Sequence, residues 1–243
     1  MFEIKKSCAI FQEELKDRQS MTGPMQIKRP NSLSKIAEDH IRESIVRGRF
    51  RMGESLLEVK LSDAMGISKT PIREALAALN LQGLVQIIPQ RGAFVFSLSK
   101  QEIVQLCQFR LLLETAALDQ SFAKSSVALV TELENIVIKM AAARDTGAFE
   151  HYLDLDSDFH DAFFNHCGNH YLCEGYNKVS DIVKTMRTYL SKTKDRITKS
   201  FEEHQAITEL LKGGKLKAAK TVLKTQITRG DRASADLLKG IKL

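Results

Sequence analysis

The chain has 243 residues, enough for one large or two modest domains, and its 43% hydrophobic content can fill a core. A formal charge of +6 and a pI near 9.1 are mildly basic. No apolar run reaches the ~18–20 residues of a membrane span, the N-terminus lacks the apolar stretch of a secretory signal, and the four cysteines (Cys8, Cys107, Cys167, Cys173) form neither a CxxC pair nor a regular spacing. Reduced thiols in a cytoplasmic protein, with no membrane partner and no disulfide framework, are therefore expected.

Residues 1–30 read as a leader. Phe2, Ile4, Phe11 and Leu15 would suit a short helix, Thr22-Gly-Pro24 breaks it, and Lys28-Arg-Pro30 is a basic lead-in. The segment is either a poorly ordered leader or an arm touching DNA or a partner subunit. Asn31 or Ser32 can cap a helix over Leu33–Arg47 whose buried face is Ile36, Ala37, Ile41 and Ile45. The connector Gly48–Gly53 follows, with Arg47, Arg49 and Arg51 clustered as a solvated loop or as contacts to a phosphate backbone.

Leu57–Leu84 reads as two short helices joined by a tight turn. Leu57, Leu61 and Ala64 or Met65 share one face of the first helix. Gly66 tolerates the positive φ of a helix end, and Ile67 plugs the corner. Ser68 is expected to cap the second helix with its hydroxyl, and Pro71 falls in the first turn, where a missing N–H costs nothing. Ile72, Ala75, Leu76, Leu79 and Leu84 form the buried side. Ser68, Lys69, Thr70 and Arg73 remain near the N-terminus on the other side, as a recognition helix presents polar and cationic side chains to a major groove. Two short apolar strands, Leu84–Ile88 and Ala93–Phe96, flank the turn Pro89-Gln-Arg-Gly92. This makes a wing with Arg91 and Gly92 at its tip.

The string ISKTPIREALAALNLQGLV followed by PQRGAFV resembles the signature of the GntR family of bacterial transcription regulators. That family carries Val-Ser-Arg-Thr-Pro-Val-Arg-Glu-Ala-Leu, then Gly-Leu-Val and a Pro-x-Arg-Gly wing. The resemblance spans Leu33–Leu98 and implies a winged helix-turn-helix on double-stranded DNA. Lys69 stands where Arg is more common. Both bind phosphate, but only Arg forms the planar fork that reads guanine edges, which leaves base readout there open. Gln26–Leu98 carries eleven Lys or Arg against seven Asp or Glu, so much of the positive excess lies in this region.

From Ser99 onward the chain is helical in period and holds none of the four prolines. Helices are expected near 100–124, 126–145, 148–166, 169–194, 199–212 and 215–238, with Gly147, Gly168 and Gly213-Gly214 as breaks. The fold class is mainly α: a winged helix over 31–98, then an all-α antiparallel helical bundle over 99–243 for effector binding and dimerisation. Arg110 and Glu114 are one helical turn apart, either a surface pair or an Arg kept inside to hold a carboxylate. Asp156 and His160 are also one turn apart, beside Phe159, Phe163 and Phe164, and His204 lies on a later helix. A carboxylate and imidazoles so placed are a half-site for a divalent metal; the alternative is a hydrogen-bonded pocket without metal.

These residues resemble the C-terminal FCD domain of the FadR-type branch of the same family. Phe109-Arg-Leu-Leu-Leu-Glu114 resembles its opening Arg-x-x-Leu-Glu element, and Cys-Gly-Asn169 fits its pattern. Metal-binding members have Asp-x-x-x-His, then Glu-His-x-x-Ile, then one further His. Here that last position holds Gln226, a poorer ligand than imidazole. The resemblance implies Asp156, His160, His204 and Gln226 around zinc, nickel or manganese, and Arg110, Asn169 and Arg187 around a small carboxylate effector. His151, His166 and His170 lie nearby but out of register.

The expected whole is a homodimeric repressor on a palindromic operator, its reading surface made by Ser68, Lys69, Thr70, Arg73, Arg91, Gly92, Arg49 and Arg51. A metal-dependent hydrolase is the remote alternative. It lacks a general-base Glu in a metalloprotease-type motif, a nucleophile elbow and a phosphate loop, and it has no use for a winged helix.

Overall fold

A computed structural model describes residues 32–190 and 193–237, with side chains to residue 229. The expectations for residues 1–30, Asn31 and Cys8 lie outside the described residues. Helix α1, Leu33–Val46, is capped by Ser32, whose hydroxyl accepts from the Lys35 N–H at 3.2 Å. Its buried face is Ala37, Glu38, Ile41 and Ile45. Ile36, expected in that face, is 42% exposed. Glu38 takes the inward position because Lys35, Arg42 and Gln82 all donate to its carboxylate.

Strand β1 (Ser55–Leu56), helix α2 (Glu58–Met65), helix α3 (Lys69–Leu81) and strands β2 (Val85–Ile88) and β3 (Gly92–Val95) complete the winged helix. The sheet order is β1-β3-β2, antiparallel throughout. The sequence shows no sign of β1, since two residues give no period to read. Gly66 sits at φ 64°, so the chain turns between α2 and α3 as expected, and the Ser62 hydroxyl donates to the Ile67 carbonyl at 2.5 Å. Ser68 has the extended backbone of an N-cap, but its hydroxyl makes no capping bond to α3, contrary to expectation. Leu57 is half exposed as the residue preceding α2, so that helix buries only Leu61. Leu61, Ile72, Ala75, Leu76 and Leu79 close on Ala37, Ile41 and Ile45 to make the core. The Asn80 side chain accepts from the Ile87 N–H at 3.1 Å and ties the wing to α3.

The bundle starts with α4, Lys100–Asp145, opened by a reciprocal capping box of Ser99 and Glu102. Its backbone leaves helical geometry at Ser125 (φ −146°, ψ 41°), so α4 is two helices meeting where the sequence placed a boundary. A Ser-Ser pair at the kink fits the usual causes of a sharp bend. Then come α5 (Phe149–Cys167), α6 (His170–Leu190), α7 (Lys194–Lys212) and α8 (Leu216–Leu237). Helix α7 starts at Lys194, earlier than the expected 199. The core joins Leu118, Leu129, Leu133, Met140, Tyr152, Phe159, Phe163, Ile207, Leu223 and Ile227. No helix among the described residues is long and apolar enough to cross a membrane.

Helix α6 also fastens the two regions together. The Thr188 hydroxyl donates to the Val46 carbonyl at 2.9 Å. The Tyr189 hydroxyl donates to the Phe50 carbonyl and accepts from the Met52 N–H, each at 3.1 Å. Ile182 packs on the winged-helix core, and Arg42 pairs with Asp181 at 3.3 Å. Arg47, grouped from sequence with the connector arginines, points to Asp154 at 3.4 Å and Glu150 at 3.8 Å on α5, so it serves this junction.

Candidate functional site

Two places carry functional groups. The first is the surface of the winged helix. Ser68, Lys69 and Thr70 open α3 and are exposed. Arg73, one turn on, is 65% exposed, with Nε 2.6 Å from the Glu58 carboxylate on α2. That contact fixes the base of the guanidinium while its outer edge faces solvent. At the wing, Arg91 N–H donates to the Ile88 carbonyl at 3.0 Å, with Gln90 at φ 63° and Gly92 at φ 96°. The Arg91 guanidinium lies over the Phe94 ring at 5.7 Å. Arg49 and Arg51 are exposed on the connector.

The second is a closed polar centre inside the bundle, to which five helices contribute. Helix α4 brings Arg110 and Glu114, α5 brings Asp156 and His160, α6 brings Arg187, α7 brings Ser200 and His204, and α8 brings Gln226. Ligand atoms of Asp156, His160 and His204 all lie within 4.8 Å of one another. His204 Nε2 is 3.3 Å from His160 Nε2 and 3.5 Å from Asp156 Oδ1. The Gln226 amide nitrogen lies 3.1 Å from His204 Nε2, as a donor to it. Four sequence candidates from three helices thus converge.

Glu114, read from sequence only as a partner for Arg110, is the organiser of the centre. It is fully buried and accepts from His160 Nδ1 at 2.7 Å, pairs with Arg110 Nε, and lies 3.7 Å from Arg187 Nη2. The carboxylate orients the His160 ring so that Nε2 faces His204 and Asp156, the usual second partner of a metal-ligating imidazole. The surface pairing of Arg110 with Glu114 is overturned, because Glu114 has no surface. Its signal was available: an acid placed directly after three leucines on a helix. Ser200, which no sequence pattern marked, donates to Asp156 Oδ1 at 3.2 Å.

Burial pushes the Glu114 carboxyl up, but Arg110, His160 and Arg187 outweigh it and hold the group well below the carboxylate range. Asp156 is likewise raised by burial and lowered more by Arg187 and the two imidazoles. Burial lowers His160, with Arg187 adding to it, and takes His204 down to about 3. At neutral pH the centre therefore holds two carboxylates, two guanidiniums and two uncharged imidazoles. Its charges cancel, and each neutral imidazole keeps one ring nitrogen as an acceptor.

Several buried polar atoms here lack a hydrogen-bond partner: Asp156 Oδ2, both Arg187 Nη atoms, Gln226 Oε1 and the Tyr176 hydroxyl. Arg187 Nε approaches Asp156 Oδ2 at 3.3 Å without hydrogen-bond alignment. Buried polar groups are nearly always satisfied, so such a cluster marks a place for a ligand or ion. The donor set fits a divalent cation: one carboxylate, two neutral imidazoles, and an unpartnered amide oxygen at Gln226. One group competes for the place, since Arg110 Nη2 sits 3.2 Å from His160 Nε2.

Asn169 is not brought to the centre. Its side-chain oxygen accepts from the Leu172 N–H at 3.3 Å and caps α6. His166 pairs with Glu132 at 2.7 Å, and His151 and His170 are exposed. A groove of about 1070 Å³ lies between the kinked part of α4 and α5 and shares no residue with the centre.

A winged helix-turn-helix with cations along its recognition helix, joined to an all-α bundle around a polar centre, defines a two-domain DNA-binding regulator. Residues 33–95 match the family of bacterial regulatory proteins called gntR, and residues 105–229 match the FCD domain. The chain belongs to the GntR family of transcriptional regulators, in its branch with a C-terminal FCD domain. It is 25% identical over 183 residues to the uncharacterized HTH-type transcriptional regulator YdhC of Bacillus subtilis (strain 168), covering 75% of this chain and 82% of the relative. It is 26% identical over 176 residues to the HTH-type transcriptional repressor GlaR of Escherichia coli (strain K12), covering 69% and 80%. The fold is similar to a solved structure described as a GntR transcriptional regulator from Rhodococcus sp. RHA1. The TM-score is 0.73 at 20% identity, over 87% of this chain and all of that one.

Proposed function

We propose that this chain is a homodimeric repressor whose residues 31–98 read a palindromic operator and whose residues 99–243 bind a small organic acid and dimerise. The relative named as a repressor supports the sign of regulation. Ser68, Lys69, Thr70 and Arg73 face the major groove, the Arg91–Gly92 tip and the connector residues Arg49 and Arg51 contact the backbone, and two-fold symmetry sets the half-site spacing. One observation carries the effector reading: the buried, partly unsatisfied cluster on five helices, one of which is α6. Arg187 in that cluster directly precedes Thr188 and Tyr189, which hold Val46, Phe50 and Met52 of the winged helix. A ligand that repositions Arg187 acts on the helix that fastens the two regions.

Asp156, His160, His204 and the Gln226 amide oxygen would hold a divalent ion (zinc, nickel or manganese), which supplies positive charge for a carboxylate. Without it the centre is neutral overall and offers an anion little net attraction. A metal-free reading is favoured by one contact, Arg110 on His160 Nε2. There Arg110 and Arg187 would grip the carboxylate directly.

The discriminating experiment is metal content after incubation with each ion and dialysis, on wild type, His204→Ala and Gln226→His. The metal reading expects loosely held ion in wild type, tighter retention in Gln226→His and none in His204→Ala, with DNA binding largely kept. If wild type and Gln226→His both emerge metal-free, the metal-free reading stands. A thermal-shift screen of organic acids on both forms then tests the effector, since a ligand of the folded state raises the midpoint by mass action.

A further inference from the structure

Cys167 ends α5 and Cys173 sits in the first turn of α6, on either side of a tight turn at Gly168 (φ 60°). Their sulfurs are 3.9 Å apart. Both reach the same acceptor, the Phe164 carbonyl, at 3.2 and 3.5 Å. The Asn169 N–H donates to Cys167 Sγ at 3.4 Å, and the Asn169 side chain rigidifies the turn by capping α6. Lys124, at the kink of α4, places its ammonium on the Cys167 and Gly168 carbonyls at 3.0 and 3.3 Å. The Cys167 thiol is drawn down to about 6, chiefly by the Cys173 S–H, with the Asn169 N–H and the Lys124 charge acting against burial. Cys167 is enclosed and Cys173 half-buried, so the pair opens to solvent on the Cys173 side. Neither thiol belongs to the polar centre or to the DNA-reading surface.

We propose that Cys167 and Cys173 form a redox-modification site, oxidised by a hydroperoxide to an intramolecular disulfide. A thiolate at Cys167 is the nucleophile that such a reaction needs, and a neighbouring thiol resolves it. In the first step the Cys167 sulfur attacks a peroxide oxygen. The O–O bond breaks, the distal oxygen leaves as an alcohol or water after taking a proton, and a sulfenic acid remains. In the second step the Cys173 sulfur displaces that hydroxyl as water, forming the S–S bond. Two thiols and one hydroperoxide give one disulfide, one alcohol or water, and one water; the two electrons lost by sulfur reduce the O–O bond. The sulfurs must close from 3.9 Å to about 2.05 Å, a short movement for side chains flanking one turn. The bridge would link α5, which carries Asp156 and His160, to α6, which carries Arg187.

Both thiols fall in one tryptic peptide, Asp145–Lys178, which simplifies the test. The full-length chain is treated with hydrogen peroxide near equimolar amounts, alkylated with iodoacetamide, digested and weighed. The expected peptide is lighter than its reduced form by two hydrogens and takes no label, while buried Cys107 on α4 keeps its label after unfolding. In Cys173→Ser, dimedone should trap a sulfenic acid at Cys167. The proposal is overturned if both cysteines of the peptide remain alkylatable at peroxide levels that oxidise Cys107. It is equally overturned if Cys167 gains oxygen in the wild type while Cys173 stays reduced.

Discussion

In the winged helix Lys69, Thr70, Arg73 and Arg91 stand in solvent, whereas in the bundle Arg110, Glu114, Asp156 and Arg187 are enclosed. The difference follows from where each finds its counter-charge. Under the proposed function a polyanion arriving from outside neutralises the first set, and until it does, water solvates them at little cost, with Arg73 also resting on Glu58. The second set is enclosed by the bundle, so each guanidinium is matched to a carboxylate, Arg110 to Glu114 within α4 and Arg187 to Asp156 across helices. At ~4 Å a charge pair is worth ~1 kcal/mol in water and several times more near a protein interior. Mutations in the first region should therefore change binding with little effect on folding. Mutations in the second should change folding first.

The largest effect is expected at Glu114. Glu114→Gln keeps the shape but leaves Arg110, Arg187 and His160 without their shared anion, and removing one member of a buried pair costs ~3–5 kcal/mol. The urea midpoint should fall at unchanged slope. A loss under ~1 kcal/mol would mean that water reaches the centre and that the contrast between the regions is false.

Next comes Arg73. Arg73→Ala should weaken binding to a selected duplex by ~1–3 kcal/mol and relax sequence preference, with the urea midpoint unchanged. Arg91→Ala should instead lower affinity for all duplexes alike and reduce the salt slope by about one unit if it contacts phosphate. Gel shifts over a salt series on duplexes enriched from random sequence would separate the two, and unchanged affinity in Arg73→Ala would sink the assignment of α3 as the reading helix.

The junction should respond more weakly. Tyr189→Phe removes one bond to the Phe50 carbonyl and one from the Met52 N–H, each worth ~0.5–1.5 kcal/mol. Hydrogen exchange at the Met52 amide should quicken while amides of α5 stay protected. Unaltered exchange at Met52 would show that α6 does not fasten the winged helix there.

The smallest effect concerns acid. Burial pushes Glu38 up, but Gln82, Lys35 and Arg42 hold its carboxyl below its ordinary value of 4.5. A carboxyl lowered on folding stabilises the fold above its unfolded value, and that contribution is lost as pH falls through the folded value. As pH falls from 4.5 through the lower folded value, the winged helix should therefore lose stability, and Glu38→Gln should lose less over the same interval. Parallel pH profiles of the two proteins would remove Glu38 from the account.

Much of this molecule is written locally. The helical period, the glycines at 66 and 168 and the Ser125 boundary name their own places, because each acts through a few successive φ and ψ angles. The spacing of Asp156 and His160 put them on one face for the same reason. Asn169 misled because a side chain next to a helix start has a nearer use as its cap. Ile36 misled because a period locates a face only to within one residue, and a three-donor network drew Glu38 inward instead.

Tertiary structure alone decided which charges are shared. Nothing near Glu114 in the chain announces that His160 and Arg187 will meet it, since those partners come from α5 and α6. It likewise sent Arg47 to α5, paired β1 with β3, and set Cys167 beside Cys173 on one carbonyl. Backbone preference reaches one helical turn, so sequence determined the elements and the face each presents. Pairing energy depends on distance and burial between elements, which exist only once the helices have packed.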